Sequence, residues 1–355
     1  MSGLVPAAAI DALIRDCMQA AGLPPPDAAK VAELMVEADL VGADAHGVFR
    51  LPQYIRRIKA GGINPKAHIT VEKTGPAVAM VDGDNGMGHL VMSRAAETAA
   101  ELAKETGVAW VGARRSNHAG AAGVYAAMPL QKDMVGIYAV VANANHMPVW
   151  GSSENLLGTN PVAFAVPAGE EPPVVLDIAT TVVSYGTVKA NKLQGKPMPE
   201  GWMIDKQGKP LTDSAKSGEG LLLPIGGHKG SGLALVLGLL AGTLNGAAFG
   251  RDVVDFNYDD STACDTGHFI IALDVNRFLP VAAFKAAIDR HLRDLKSAEK
   301  LPGVDAIRLP GEQRIKRRAE RLRDGVPVYP EVVELLDKLA DDLKVKLLRS
   351  RYRAS

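Results

Sequence analysis

Three side chains that can bind an anion and exchange a proton lie four residues apart in GADAHGVFRLPQY, residues 42–54. They are His46, Arg50 and Tyr54. Arginine binds a carboxylate through paired hydrogen bonds, and histidine titrates near neutral pH. A small keto acid needs both groups, one for its carboxylate and one to exchange a proton with its carbonyl oxygen. The same spacing is typical of an amphipathic stripe on a buried helix, so a purely structural role stays open.

Other polar residues stand where predicted strands or helices begin or end. Helix starts offer free amide groups to anions, and neighbouring glycines let a ligand approach the backbone. Each signal is weak alone, and Lys229 is also explained as a helix-capping surface lysine and His118 as a loop histidine satisfied by its neighbours. The set comprises His118, Thr159, Asn160, Asp177, Lys229 and Glu312.

Several common site types are missing from the sequence. No GxGxxG follows a predicted strand, and neither GxxxxGK[ST] nor a GxSxG elbow occurs. The eight histidines show no metal-binding spacing, so no metal is expected. Forty basic and forty acidic side chains cancel, which argues against nucleic acid as a partner. Cys17 and Cys264 lie far apart, and we expect two buried, reduced thiols.

Hydrophobic periodicity predicts helices at both ends of the chain and short strands between them. We therefore expect a discontinuous helical lobe, residues 1–107 and 281–355, around a sheet lobe, residues 108–280. Ser93 is expected to cap a helix that ends at Gly107. The predicted helices are 7–21, 27–41, 48–59, 93–107, 281–297, 311–324 and 330–349, and the strands are 108–111, 134–141, 161–167, 173–180 and 268–275.

The stretch from Gly230 to Gly250 carries no charge and has nearly the length of a membrane span. Its strongly apolar part is only LALVLGLLAG, so we interpret it as a buried helix and expect no membrane association. The N-terminus lacks a basic region followed by an apolar run, which favours a cytoplasmic protein. The basic cluster between Arg314 and Arg323 is interpreted as a solvated helix face, with a phosphate contact as the alternative.

Taken in order, seven segments resemble the type-2 malate/L-lactate dehydrogenases over about residues 5–335. The segments are DLVGADAHGVFRLPQYIRRIKAGGINP, VDGDNGMGH, SNHAGAAGVYA, GTNPVAFAVP, LDIATTVVSYGTVKANKLQGKPMPEGWMID, LLLPIGGHKGSGLALVLGLLAG and LPGEQRIKRRAERLRDGVPV. The resemblance implies an α+β, non-Rossmann fold. In that fold a mostly antiparallel sheet lobe binds the dinucleotide and both chain ends build the helical lobe. It also implies a homodimer whose active site lies at the subunit contact.

The resemblance assigns roles to individual residues. His46 matches the family's proton donor or acceptor, Arg50 its substrate-carboxylate contact, and Tyr54 a pocket residue. His118 matches a second histidine that competes for the proton-transfer role. Ala45 departs from the serine usual in the family, which puts the identity of the substrate in doubt. The implied dinucleotide contacts are Thr159, Asn160, Asp177, Ile178, Ala179, Thr180, His228, Lys229, Gly311, Glu312 and Gln313.

The sequence therefore predicts an oxidoreductase that interconverts a small 2-oxo acid and its 2-hydroxy acid with NAD or NADP, NAD being slightly preferred. One alternative is an NADPH-dependent reductase of cyclic imines such as piperideine or pyrroline carboxylates. Another, outside the enzymes, is a catalytically silent scaffold that keeps the fold. The sequence leaves open the acid, the cofactor and the physiological direction.

Overall fold

The computed structural model describes residues 3–352, which form an α+β structure. Helices and strands are numbered separately in chain order. Within the described residues the ten α-helices are α1 (Ala7–Ala20), α2 (Pro25–Leu40), α3 (Leu51–Ala60), α4 (Gly88–Thr106), α5 (Ala122–Ala126), α6 (Tyr185–Leu193), α7 (His228–Ala241), α8 (Val281–Lys296), α9 (Glu312–Asp324) and α10 (Pro330–Asp342).

The strands are mostly short and are spread along the whole chain. Within residues 3–352 they are β1 (Gly3–Val5), β2 (Thr70–Gly75), β3 (Val78–Asp82), β4 (Val108–Ser116), β5 (Met134–Val140), β6 (Met147–Pro148), β7 (Asn155–Leu157), β8 (Val162–Val166), β9 (Val174–Ile178), β10 (Met203–Ile204), β11 (Leu221–Leu222), β12 (Thr266–Asp274) and β13 (Val326–Val328).

One seven-stranded sheet has the order β2-β3-β4-β12-β5-β8-β9. Its neighbouring strands are antiparallel except for the parallel pair β3 and β4. Successive side chains of a strand point to opposite faces. On β12, Ile270 joins the core formed with α4, and Phe269 joins the core formed with α7. The sheet is therefore covered by helices on both faces.

Both ends of the chain meet in a separate helical core. Strand β1 pairs with β13, which brings Gly3 opposite Val328. Ile10 and Leu13 of α1 are fully buried in the same cluster as Leu336 of α10. Cys17 is buried in this cluster, and Cys264 is also a buried free thiol, as expected from the sequence.

Segments that were expected in the helical lobe belong to the large sheet or bind to it. Strands β2 and β3 lie before residue 108, yet they are the first two strands of the large sheet. Helix α8 lies after residue 280, yet its Asp289 accepts hydrogen bonds from the backbone N–H groups of Gly169, Glu170 and Glu171, between β8 and β9. The hydrophobic pattern missed β2 because it is a largely exposed edge strand with few apolar residues.

Three further details differ from the predictions. Helix α4 begins at Gly88, so Ser93 is a buried helical residue and not a cap. Helix α10 ends at Asp342 and not at residue 349. The basic residues of α9 are only partly solvated, because Arg318 pairs with Glu37 at 2.9 Å and Arg321 pairs with Asp44. These ion pairs attach α9 to α2 and the turn that follows it.

The uncharged stretch from Gly230 is a helix only to Ala241, and it is not buried all round. Gly230 and Gly238 allow close contact, since a Cβ at Gly238 would lie 2.2 Å from the Phe249 ring. The opposite face is exposed, and Val236 keeps 52% of its surface accessible. The apolar residues of α7 therefore occupy two faces, one packed against the protein and one exposed to solvent in the single chain. Within residues 3–352 no helix combines the length and apolar character needed to cross a membrane.

Candidate active site

His46 and Arg50 lie on two short 3₁₀ turns, Asp44–His46 and Val48–Arg50, that lead into α3. Helix α3 begins at Leu51, with Pro52 in its first turn, where a missing N–H costs no helical hydrogen bond. The two side chains therefore enter the site from irregular backbone, and Tyr54 enters it from the helix.

Gly47 separates these turns because there is no room for a side chain. A Cβ at Gly47 would lie 1.8 Å from Oδ1 of Asp39. The Asp39 carboxyl group comes from the end of α2, and its Oδ2 accepts a hydrogen bond of 2.9 Å from the Val48 N–H. The buried carboxyl group thus fixes the backbone between the histidine and the arginine.

Arg50 is held by neutral oxygen atoms. Its Nε donates to the Ala45 carbonyl at 2.8 Å, and a terminal nitrogen donates to the Gln53 side chain at 2.7 Å. Gln53 in turn donates to the carbonyl of Phe256, whose ring centroid lies 5.3 Å from the guanidinium. Among residues 3–352 no carboxylate forms an ion pair with Arg50. The positioned guanidinium therefore keeps donors for an external carboxylate.

Tyr54 and the loop after β4 orient His118. The Tyr54 hydroxyl lies 2.7 Å from Nδ1 of His118, and the Gly120 N–H donates to the same nitrogen at 3.3 Å. Because the amide can only donate, Nδ1 is an acceptor, and the proton of the neutral ring lies on Nε2. Among residues 3–352 Nε2 has no hydrogen-bond partner. His118 thus has one nitrogen fixed by the protein and one available for a ligand.

The two candidate proton-transfer residues stack on each other. The rings of His46 and His118 are nearly parallel, with centroids 5.7 Å apart. Burial and the charge of Arg50 lower the pKa of His46 to about 4. Burial, Arg50 and the neighbouring histidines lower the pKa of His118 well below its usual value. Both rings are therefore neutral at pH 7 in the free protein, since each charged form would be poorly solvated beside a cation.

The site contains residues that sequence analysis missed. Phe256 stacks on His118 with a centroid distance of 4.9 Å, and His89 packs edge-on against Tyr54 at 5.3 Å. His89 is buried, and both of its ring nitrogens lack partners within residues 3–352. Gln53 lies inside the motif, three residues after Arg50. Side chains with this spacing are neighbours on a helix, so the sequence could have indicated that Gln53 contacts Arg50. Nothing near Phe256 in the sequence indicates its role, because it reaches the site from 203 residues away.

Ala45 contacts the start of α6. A Cβ on Gly186 would lie 3.0 Å from the Ala45 methyl group, so the two backbones approach closely. The Ala45 carbonyl still binds Arg50, which a serine at this position would also do. The missing hydroxyl therefore leaves the arginine anchored and changes only the surface facing α6.

The predicted dinucleotide contacts are spread over β9 and the segments that adjoin it, and we call this set the track along β9. At one end Gly311 adopts φ +101°, and a Cβ there would lie 2.8 Å from the Val175 nitrogen. In the middle, Asp177 accepts a 2.7 Å hydrogen bond from the Gly123 N–H and lies 3.6 Å from Arg314. Beyond Asp177 come Ile178, Ala179 and Thr180. Glu312 and Gln313 follow Gly311 at the start of α9, where Glu312 pairs with Lys296 at 2.7 Å.

The track continues to α7. The Thr180 hydroxyl donates to the Thr159 carbonyl at 2.9 Å, and the Thr180 carbonyl accepts from the Ile225 N–H. His228 and Lys229 follow at the exposed start of α7, and the positive end of a helix favours an anion. Asn160 is different, because its buried amide already bonds the Ala142 N–H and the Ala234 carbonyl. Its side chain joins β8 to α7.

Comparison with known proteins identifies the family of the chain. Residues 5–337 match the family described as malate/L-lactate dehydrogenase. The malate dehydrogenase of Pyrococcus horikoshii is 38% identical over 334 residues, covering 92% of this chain and 91% of the relative. The ureidoglycolate dehydrogenase (NAD(+)) of Escherichia coli K12 is 31% identical, covering 91% and 92%.

The L-sulfolactate dehydrogenase of Methanocaldococcus jannaschii is 36% identical, covering 94% of this chain and 96% of the relative. A solved structure of sulfolactate dehydrogenase from that organism has a TM-score of 0.89 at 35% identity, covering 97% of this chain and 98% of the other. Sequence and structure agree over nearly the whole length, and the chain belongs to the malate/L-lactate dehydrogenase family.

Proposed function

We propose that the protein is an NAD(P)-dependent dehydrogenase that interconverts a small 2-oxo acid and its 2-hydroxy acid at the site formed by His46, Arg50, Tyr54 and His118. The observation that carries this proposal is an arginine without a carboxylate partner among residues 3–352, next to two stacked imidazoles. The named relatives act on malate, sulfolactate and ureidoglycolate, which are all 2-hydroxy acids.

Arg50 would bind the substrate carboxylate and so orient the neighbouring carbon and its oxygen. The bound carboxylate would offset the charge of Arg50 and so remove one of the effects, smaller than burial, that lower the pKa of both histidines. A neutral imidazole accepts the hydroxyl proton during oxidation, and the protonated ring returns it during reduction. His46 and His118 remain competing candidates for this step. His118 could accept the proton at Nε2 only in the tautomer that carries its own proton on Nδ1 and donates it to the Tyr54 hydroxyl.

The track along β9 supports a dinucleotide site. It ends at the start of α7, where amide groups suit a phosphate, and Lys229 adds a positive charge. Gly226 and Gly227, with φ of +60° and +65°, form the turn directly before α7. The bound nicotinamide would supply or accept the hydride. We infer a non-Rossmann site, because the large sheet is antiparallel at all but one pair of neighbouring strands, whereas Rossmann sheets are mostly parallel.

The division into a helical lobe and a sheet lobe remains part of this proposal, with β2 and β3 belonging to the large sheet and α8 bound to the segment between β8 and β9. We also propose a homodimer in which a second copy covers the exposed face of α7, where Leu233, Val236 and Leu239 keep 38%, 52% and 41% of their surface accessible. Light scattering of the purified chain tests this state, and a monomer would contradict it. The expected cytoplasmic location is tested by cell fractionation.

The direct test mixes the purified protein with NADH or NADPH and a panel of 2-oxo acids and cyclic imines. We expect the absorbance of the reduced nicotinamide to fall with at least one 2-oxo acid. A fall with cyclic imines alone would favour the imine reductase. Failure to bind either cofactor would favour the silent scaffold and contradict the proposal.

A further inference from the structure

A second cation lies beside the site on α6. Ser184 caps this helix, its side chain accepting a hydrogen bond from the Thr187 N–H, so the helix start is well defined. Gly186 in the first turn lies against Ala45, whose carbonyl anchors Arg50. Lys189 follows three residues later, and residues with this spacing share one face of a helix. The helix therefore presents Lys189 on the face that contacts the Arg50 turn.

The lysine is held by the same segment that contacts the catalytic candidates. Its Nζ donates to Oδ1 of Asn257 at 2.8 Å and lies 5.3 Å from the centre of the Tyr185 ring. Asn257 is fixed by Asp255, whose Oδ1 accepts from both its backbone and side-chain nitrogens. The residue between them, Phe256, stacks on His118 and lies against Arg50. Residues 255–257 thus link the ammonium of Lys189 to the guanidinium of Arg50.

Lys189 keeps N–H donors that no hydrogen-bond acceptor among residues 3–352 satisfies. An ammonium has three N–H groups, and Asn257 accepts one of them. Among residues 3–352 no carboxylate lies within ion-pair distance of Lys189. Burial and the charge of Arg50 lower the pKa of Lys189 to about 8. Two partly buried cations that repel each other are stabilised when an anion binds near both.

We propose that Lys189 binds a second anionic group of the substrate, a carboxylate or sulfonate, while Arg50 binds the carboxylate next to the reacting carbon. The preferred substrate is then a 2-oxo or 2-hydroxy acid with two acidic groups. This inference rests on the proposed function, because it uses Arg50 as the contact for the first carboxylate. Lys189 sets specificity and takes no part in proton transfer.

The test compares kcat/KM for oxaloacetate, which has two carboxylates, and pyruvate, which has one. Lys189→Met in the full chain should reduce kcat/KM for oxaloacetate about 10- to 100-fold, mainly through KM, because a charge-assisted hydrogen bond is lost. The value for pyruvate should stay within about twofold, since pyruvate has no second acidic group for Lys189 to bind. Lys189→Arg should keep most of the preference for oxaloacetate.

The matched control is Lys192→Met, since Lys192 is an exposed lysine on the same helix and should tolerate the change. Equal losses with both acids, or no loss with either, would overturn this inference while the proposed function stands. If the native chain reduces no 2-oxo acid, the proposed function fails and this inference fails with it.

Discussion

Arg50 and Lys189 are two cations beside one site, but the chain holds them in different ways. Arg50 precedes α3, where Asp39 fixes the turn and Ala45 and Gln53 fix the guanidinium. Lys189 lies on α6, which packs mainly on a small separate cluster that includes Val188 and Met203. Among residues 3–352 a single hydrogen bond, to Asn257, directs its ammonium.

This difference matches the chemistry proposed for each cation. Every 2-oxo acid has a carboxylate next to the reacting carbon, so a rigid guanidinium serves all of them. The remainder of the substrate varies, and a cation on a separately packed helix can change without disturbing the proton-transfer residues. Variants of the segment that holds Arg50, which we call the first region, should therefore affect all substrates. Variants of the segment that holds Lys189, the second region, should affect only substrates with two acidic groups.

The largest expected loss of turnover comes from changes to the stacked histidines, because every substrate requires the proton transfer that they are proposed to perform. His46→Gln or His118→Gln should lower kcat by about 10²- to 10⁴-fold for whichever residue exchanges the proton. The loss should be the same for pyruvate and oxaloacetate. The measurement is steady-state turnover at saturating cofactor, with nicotinamide binding followed by fluorescence. Unchanged kcat in both variants would exclude both residues from proton transfer.

A smaller effect is expected from Arg50→Lys. The ammonium keeps the charge but cannot form paired hydrogen bonds with a carboxylate, nor contact both Ala45 and Gln53. We expect kcat/KM to fall about 10- to 100-fold for pyruvate and oxaloacetate alike. Arg56→Lys is the matched control, because Arg56 lies on α3 with 55% of its side chain exposed. A loss confined to oxaloacetate would mean that the two cations have exchanged their proposed roles.

The first region could be predicted from the sequence, and the second could not. His46, Arg50 and Tyr54 lie within nine residues, so local spacing brings them together whichever way the turn folds. The ring of Phe256 and the ammonium of Lys189 reach the site only through contacts between distant segments, as the 203-residue separation of Gln53 and Phe256 illustrates. The same limit applies to the fold, where an exposed edge strand such as β2 has little hydrophobic signal.

The smallest expected effect is a change of substrate preference with pH, which distinguishes the role of Lys189 from that of Arg50 without any mutation. Lys189 is charged below its pKa of about 8 and loses the charge as pH rises through that value. Burial lowers the pKa of Arg50 from its usual value, but a guanidinium keeps its charge in proteins over this range. Burial holds the pKa of the neighbouring His146 at about 4 and raises that of Tyr185, so neither ring gains charge between pH 7 and 9. The Asp255 carboxylate also faces this group through Asn257.

We therefore expect the ratio of kcat/KM for oxaloacetate to that for pyruvate to be steady near pH 6–7 and to fall about tenfold between pH 7 and 9. The ratio cancels the titration of His46 and His118, because both substrates depend on proton transfer equally. In Lys189→Arg the ratio should stay level over the same range, since the guanidinium keeps its charge. A ratio that falls equally in the arginine variant would assign the titration to another group and remove Lys189 from substrate selection.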